Sequence, residues 1–328
     1  MSNQLREIAR QGQSIWLDAL RRGFIEEGSL ARWIEEDDLR GVTSNPAIFE
    51  KAIAGNPAYR EEIKRLLCEN CREPKAIFEA LAVRDIQDAA DLLRSVYDRT
   101  DGVDGYVSLE VSPHLAHDTE GTLDEARRLW SWIERPNVMI KVPGTEAGVP
   151  AIETLIGEGI NVNVTLLFSR TAYERVAEAY LRGLEHRLGQ GQPISSVASV
   201  ASFFISRIDS AVEKRLDGAS PSGGGVDPDG LRGQVAIANA KLTYRRYGQI
   251  YSGDRWNGLA KKGAKPPRLL WASTSTKSPD LSDVHYVDAL IGPETVNTVP
   301  ESTFDAARER ATVLRALDRD VGEAEEVL

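Results

Sequence analysis

Cysteine is nearly absent from this sequence: Cys68 and Cys71 are the two in 328 residues. They form one C-x-x-C at the end of a helical pattern running from Tyr59 to Glu69. A zinc site needs a second pair or nearby histidines, and a redox pair is expected after a strand at a helix start. Ordinary reduced thiols are therefore expected, with no metal and no disulfide framework. Long apolar runs are missing too. No stretch approaches ~18 apolar residues, and Met1-Ser2-Asn3-Gln4 opens no signal sequence. The expectation is a cytoplasmic protein without a membrane span. Blocks of lysine or arginine are also lacking, and net charge is −10. That speaks against the basic face that nucleic-acid binding requires, and the acidic balance favours solubility.

What is present is an alternation of short apolar runs with amphipathic helical patterns. With 41% hydrophobic residues a sizeable core is feasible. Candidate strands are Ser14–Leu20, Gly41–Ser44, Tyr106–Val111, Val138–Val142, Asn161–Leu166, Val197–Phe203, Leu269–Ala272 and Tyr286–Leu290. Between them, Ser29 is placed as N-cap of Leu30–Asp38. Ser169 caps a helix from Tyr173 to Leu188, and Thr119 to Ile133 carries Leu123, Ala126, Leu129 and Trp130 on one stripe. Eight such units without hairpin signals argue for a (β/α)8 barrel, with a doubly wound sheet as the alternative. No solenoid repeat is visible. The length exceeds the usual ~150 residues per domain, but single α/β barrels run to about 250 or more. One domain over 1–328 is expected, with helical insertions at about 46–97 and 219–262. The Gly/Ser/Pro-rich stretch 219–230 reads as a mobile loop.

One charge interrupts the fourth strand. Val138-Met-Ile-Lys141-Val-Pro143 is apolar except for Lys141, and Pro143 is expected to end it. Desolvation disfavours a buried ammonium, and a neutral amine can attack a carbonyl to form a Schiff base. The other reading is a strand-end lysine that snorkels to solvent or is paired structurally.

Barrels place their chemistry where strands end. The first strand ends at Asp18, and the second in Thr43, Ser44 and Asn45. The third carries Ser108 and Glu110 on one face, and the fifth Asn161, Asn163 and Thr165. The sixth ends at Ser202 and the seventh in Ser273, Thr274 and Ser275. A structural network can explain any one of these. An acid, a second carboxylate, a lysine, two asparagines and a threonine together point to a site. Carboxylates can serve as acid and base, and asparagines can orient sugar hydroxyls. Arg207, near a helix start, and Ser273, Ser275 and Lys277 are phosphate candidates.

The segments Ser14-Ile-Trp-Leu-Asp18, Gly41-Val-Thr-Ser-Asn-Pro-Ala-Ile-Phe49, Ser108-Leu-Glu110, Val138-Met-Ile-Lys141-Val-Pro-Gly-Thr145 and Asn161-Val-Asn-Val-Thr165 together resemble the transaldolases, in particular the longer bacterial type. The resemblance runs to about Phe304. It implies a metal-free, cofactor-free class I enzyme of the cytoplasm. Lys141 would form a Schiff base with a ketose phosphate (sedoheptulose 7-phosphate or fructose 6-phosphate). Asp18 would take the C4 hydroxyl proton, leaving a dihydroxyacetone enamine for transfer to an aldose phosphate. Glu110 and Thr165, through a water, would serve carbinolamine formation and breakdown. Asn45 and Asn163 would hold donor hydroxyls, beside Thr43, Ser44, Ser202 and Phe204. Arg207 and Ser273 would hold the phosphate. Two features depart from the better-studied branch. Ser275 stands where an arginine is usual, which leaves Lys277 as the nearest cation. The family's longer members also continue past Leu328 by a helix or two, and two readings stay open: a more open acceptor site, or simply a natural end. The resemblance leaves a pentose phosphate pathway role or a specialised sugar pathway open, and a monomer or homodimer. The competing readings are a fructose-6-phosphate aldolase that releases dihydroxyacetone, and a non-catalytic barrel that binds sugar phosphates.

Overall fold

The computed structural model describes residues 3–69, 71–217 and 228–328. Eight parallel strands close in chain order into a barrel, β8 pairing with β1. They are β1 (Gln13–Leu17), β2 (Gly41–Thr43), β3 (Tyr106–Glu110), β4 (Val138–Pro143), β5 (Val162–Leu167), β6 (Ser199–Phe204), β7 (Arg268–Ala272) and β8 (Thr295–Val299). Seven fall where the sequence places them. The eighth does not: Tyr286 to Leu290 belongs to the turn of helix His285–Ala289 and the residue after it. A five-residue run, apolar but for Asp288, carries too little periodicity to separate strand from helix. The true β8, Thr-Val-Asn-Thr-Val, is β-branched at four of five positions, a stronger strand signal than its mixed polarity suggests.

Period-two alternation sorts each strand's side chains. Ile15, Leu17, Val107, Ile140, Val142, Leu269 and Trp271 face outward into the layer beneath the helices. Trp16, Tyr106, Met139, Val200, Leu270 and Val296 fill the barrel itself. Gly41 is needed for this filling. A Cβ there would lie 2.5 Å from the Trp16 indole.

Between β2 and β3 lie helices Pro46–Ile53, Arg60–Cys68 and Pro74–Arg99. Between β6 and β7 lie Ser206–Asp217, Pro228–Leu231, Val235–Ile250 and Asp254–Ala260. The stretch read as a mobile loop lies outside the described residues as far as 227. Ser169 caps its helix as expected, accepting from the Ala172 amide at 3.2 Å. Ser29 does not; Gly28, at φ +75°, occupies that N-cap and Ser29 is the first helical residue. Cys68 is exposed, Cys71 half-buried, and both are free. Among the described residues no helix is long and apolar enough to cross a membrane. Nor is there a cluster of three or more His, Cys, Asp or Glu placed to hold a metal.

A charged plug closes the barrel's N-terminal end. Asp104 accepts from Ser14 Oγ at 2.7 Å, from Trp16 Nε1 at 3.2 Å and from the Arg268 guanidinium at 2.7 Å. Asn161 works at the same end, joining the carbonyls of Pro136 and Val138 to the Ala198 amide, and so stands apart from Asn163. Asp104→Ala would leave the buried Arg268 without its carboxylate. A loss of about 3 kcal/mol in unfolding free energy is expected, measured by urea denaturation. A change within 0.5 kcal/mol, the usual range for surface positions, would show that the plug is dispensable.

Candidate active site

At the opposite, C-terminal end the inward positions turn polar. Parallel pairing sets Glu110 beside Lys141 and Lys141 beside Asn163. Three residues from separate strands thereby share one layer. Lys141 is only 7% exposed. Its Nζ lies 3.1 Å from Glu110 Oε2 and donates to the Ser44 carbonyl at 3.2 Å. Ser44 Oγ in turn donates to the Ser108 carbonyl at 2.7 Å. The ammonium is therefore tied to β2 and β3 as well as to its own strand. Burial pushes the Glu110 carboxyl above the ordinary carboxylate range. The neighbouring Lys141 pulls it down, Asp18 pushes it up and Arg207 pulls it down, and burial prevails.

Asp18 follows β1, its amide donating to the Val299 carbonyl at 2.8 Å. Its Oδ1 accepts from Thr43 Oγ1 at 2.7 Å. Thr43 Oγ1 lies 2.7 Å from Thr298 Oγ1, and because the Thr43 proton is committed to Asp18, Thr298 is the donor. The carboxylate is held by a relay of two threonines on β2 and β8. Deeper in, Asn163 Nδ2 donates to Ser108 Oγ at 3.0 Å and its Oδ1 accepts from Ser202 Oγ at 2.7 Å. Asn45 caps helix Pro46–Ile53, accepting from the Ile48 amide at 3.0 Å, so its oxygen is committed and its amide N–H groups are the part free to bind.

Two non-glycine residues hold left-handed backbone at the mouth, Leu166 at φ +64° and Ser273 at φ +57°. The first sits in a register shift of β5 against β6 between Val164 and Leu167. Next to it, Thr165 Oγ1 is buried and makes no hydrogen bond to the protein. Ser273 Oγ lies 3.0 Å from Ser206 Oγ. The Arg207 guanidinium stands 4.9 Å over the Phe204 ring, which packs on Phe168 with centroids 5.2 Å apart. Lys277 donates to Ser275 Oγ at 3.1 Å.

These groups surround one cavity of about 590 Å³. All the candidates read from the sequence line it except Ser44, Ser108, Asn163 and Thr274, which are buried, and Asn161, which lies at the other end of the barrel. Lys51 and Thr298 also line it, and neither was picked from the sequence. Thr298 was hidden by the misplaced eighth strand. Lys51 carries no signal in the sequence, since a lysine on an amphipathic helix reads as a solvated charge. No lining residue comes from the chain beyond Pro300. The C-terminal helix Val321–Val327 packs instead on Val235–Ile250, through Ala324 against Ala238 and Leu242. Lys51, Lys141, Arg207 and Lys277 face the cavity with only Asp18 and Glu110 as carboxylates. In a chain of net charge −10 this is a local excess of positive charge, suited to an anionic substrate.

A family model described as transaldolase/fructose-6-phosphate aldolase matches residues 15–327. The chain belongs to this family. The match continues past Phe304, beyond the stretch in which its motifs are legible by eye. Among similar proteins, Transaldolase 2 of Nostoc sp. is 51% identical over 99% of this chain and 87% of its own length. The transaldolase of Trichodesmium erythraeum is 48% identical over the whole chain and 87% of its own. That of Thiobacillus denitrificans is 48% identical over 98% of this chain and 88% of its own. The chain is thus an enzyme of a Schiff-base family, whose named relatives are transferases.

Proposed function

We propose that this enzyme moves a dihydroxyacetone unit from a ketose phosphate to an aldose phosphate, with Lys141 as the covalent carrier. The observation that carries the reading is the buried Lys141 ammonium paired with Glu110 at 3.1 Å, in the same cavity as a carboxylate held by two threonines. Glu110 accepts a proton from Lys141, and the neutral amine adds to the ketose C2 carbonyl. Loss of water from the carbinolamine, served by Glu110 and the unsatisfied Thr165 hydroxyl, gives the iminium ion. Asp18 then takes the C4 hydroxyl proton. The C3–C4 bond breaks, its electrons pass into the iminium, and an aldose phosphate leaves the enamine on Lys141. The acceptor aldehyde adds to that enamine by the reverse steps. Asn45 and Ser202 orient the donor hydroxyls from the cavity wall, and Asn163, buried beneath, holds Ser202 through the 2.7 Å bond. Arg207, Ser273, Ser275 and Lys277 take the phosphate. The pentose phosphate pathway is the natural place for such a transfer, and the cytoplasm the natural compartment.

Borohydride added with fructose 6-phosphate should reduce the iminium and add one three-carbon unit at Lys141, read by peptide mass. Label on another residue, or none, would remove this reading. Running the reaction with and without erythrose 4-phosphate separates transfer from lyase action. Free dihydroxyacetone formed at the same rate in both would favour an aldolase.

The raised Glu110 carboxyl has a kinetic consequence. It stays protonated to a higher pH than the ordinary glutamate value of about 4.3. Because the proposed step uses ionised Glu110, activity should fall on acidification at a pH above that value, and Glu110→Gln should flatten this acid limb. A pH–rate profile for kcat/KM checks it. An acid limb unchanged in the variant would assign it to another group.

A further inference from the structure

We propose that Lys51 is a specificity-determining residue for phosphorylated substrates, acting from the wall opposite Arg207. The inference rests on the transfer reading above. Helix Pro46–Ile53 begins directly after β2, at the Asn45 cap, next to the Ser44 carbonyl that holds Lys141. Ala47 and Lys51 share one face of this helix, and both line the cavity. In a closed ring of eight strands β2 and β6 lie four apart, on opposite walls. Arg207, Ser273 and Lys277 follow β6 and β7. The cavity therefore has two cationic poles with Lys141 between them on β4.

Lys51 differs from the other mouth cations in being uncommitted. Arg207 stacks on Phe204 and Lys277 donates to Ser275. Among the described residues Lys51 has neither an ion pair nor a hydrogen bond, although Glu50 precedes it. Most cations elsewhere on the surface are matched, as Arg127 is with Glu158 and Arg255 with Glu185. There is also work for a cation at this wall. Asp18 follows β1, beside β2, and among the described residues has no ion pair of its own. Its charge must stay available for the C4 proton, so it repels a phosphate entering on that side. The Lys51 ammonium offsets this repulsion at the mouth without neutralising Asp18, and steers the phosphate inward before it settles on Arg207, Ser273, Ser275 and Lys277.

The test is steady-state kinetics of Lys51→Met and Lys51→Arg at saturating fructose 6-phosphate, with erythrose 4-phosphate or erythrose as acceptor, at low and high salt. In Lys51→Met, KM for erythrose 4-phosphate should rise about tenfold with kcat within about twofold. KM for erythrose should stay the same, the salt dependence with the phosphorylated acceptor should become shallower, and Lys51→Arg should restore the unaltered values. Equal changes for both acceptors, no change, or failure of arginine to restore KM would overturn the proposal. Borohydride trapping run alongside separates the two levels. Trapping at Lys141 with an unchanged KM overturns the Lys51 assignment alone, whereas no trapping in the unaltered chain overturns both.

Discussion

Lys141→Ala is expected to abolish borohydride-dependent labelling and to lower kcat/KM by about 100,000-fold. The size follows from the absence of a substitute. Within the cavity Lys141 is the one amine deep in the barrel, 7% exposed and paired in register with β3 and β5. Lys51 and Lys277 sit at the exposed mouth, on other walls. Without an amine at the C2 carbon there is no electron sink for the C3–C4 bond, so acid–base groups that remain in place have nothing to assist. Lys141→Arg should be nearly as inactive, because a guanidinium does not lose its proton in this pH range. Peptide mass after reduction, with a coupled assay for the released aldose phosphate, checks both. Residual labelling in Lys141→Ala would place the covalent step on another residue.

Asp18→Asn should separate the two halves of the reaction. Asparagine keeps the size of the side chain, and its oxygen can still accept from Thr43 Oγ1, so the 2.7 Å contact and the Thr298 relay behind it persist. What disappears is a base for the C4 hydroxyl. A fall in kcat of about 1,000-fold is expected, within the usual range for a positioned general base. The ketose should still form its iminium on Lys141. Borohydride should therefore trap the intact six-carbon donor in this variant, against the three-carbon unit in the unaltered chain. Mass spectrometry resolves the two, and a three-carbon adduct formed at the normal rate would remove Asp18 from the proton transfer.

The candidate site was legible to different depths for identifiable reasons. Strand alternation exposes any polar residue that replaces an apolar one. Asp18, Glu110, Lys141 and Thr165 are visible in that way, and the cavity contains all four. Ser44 and Asn163 look the same in sequence, yet they lie under the cavity floor. Ser44 donates to a strand carbonyl, and Asn163 is spent on Ser108 and Ser202. Alternation reports which face a residue takes but not its height in the barrel. Lys51 was missed for the opposite reason, since a lysine on an amphipathic helix reads as a solvated charge. Its meaning depends on which wall the helix stands against.

The sequence alone determined the barrel class, seven of the eight strands, the motif set of the family and the one charge that interrupts the fourth strand. These rest on local signals: alternation, caps and runs of specific residues. Tertiary structure alone decided the neighbours. Glu110 and Lys141 lie 31 residues apart in sequence. They meet at 3.1 Å because β3 and β4 pair in parallel at a particular register, which no local period encodes. The same holds for the eighth strand. Tyr286 to Leu290 and Thr295 to Val299 are both short and apolar enough to qualify. Closure of the ring selects the second, which pairs β1 along its whole length from Gln13 to Leu17.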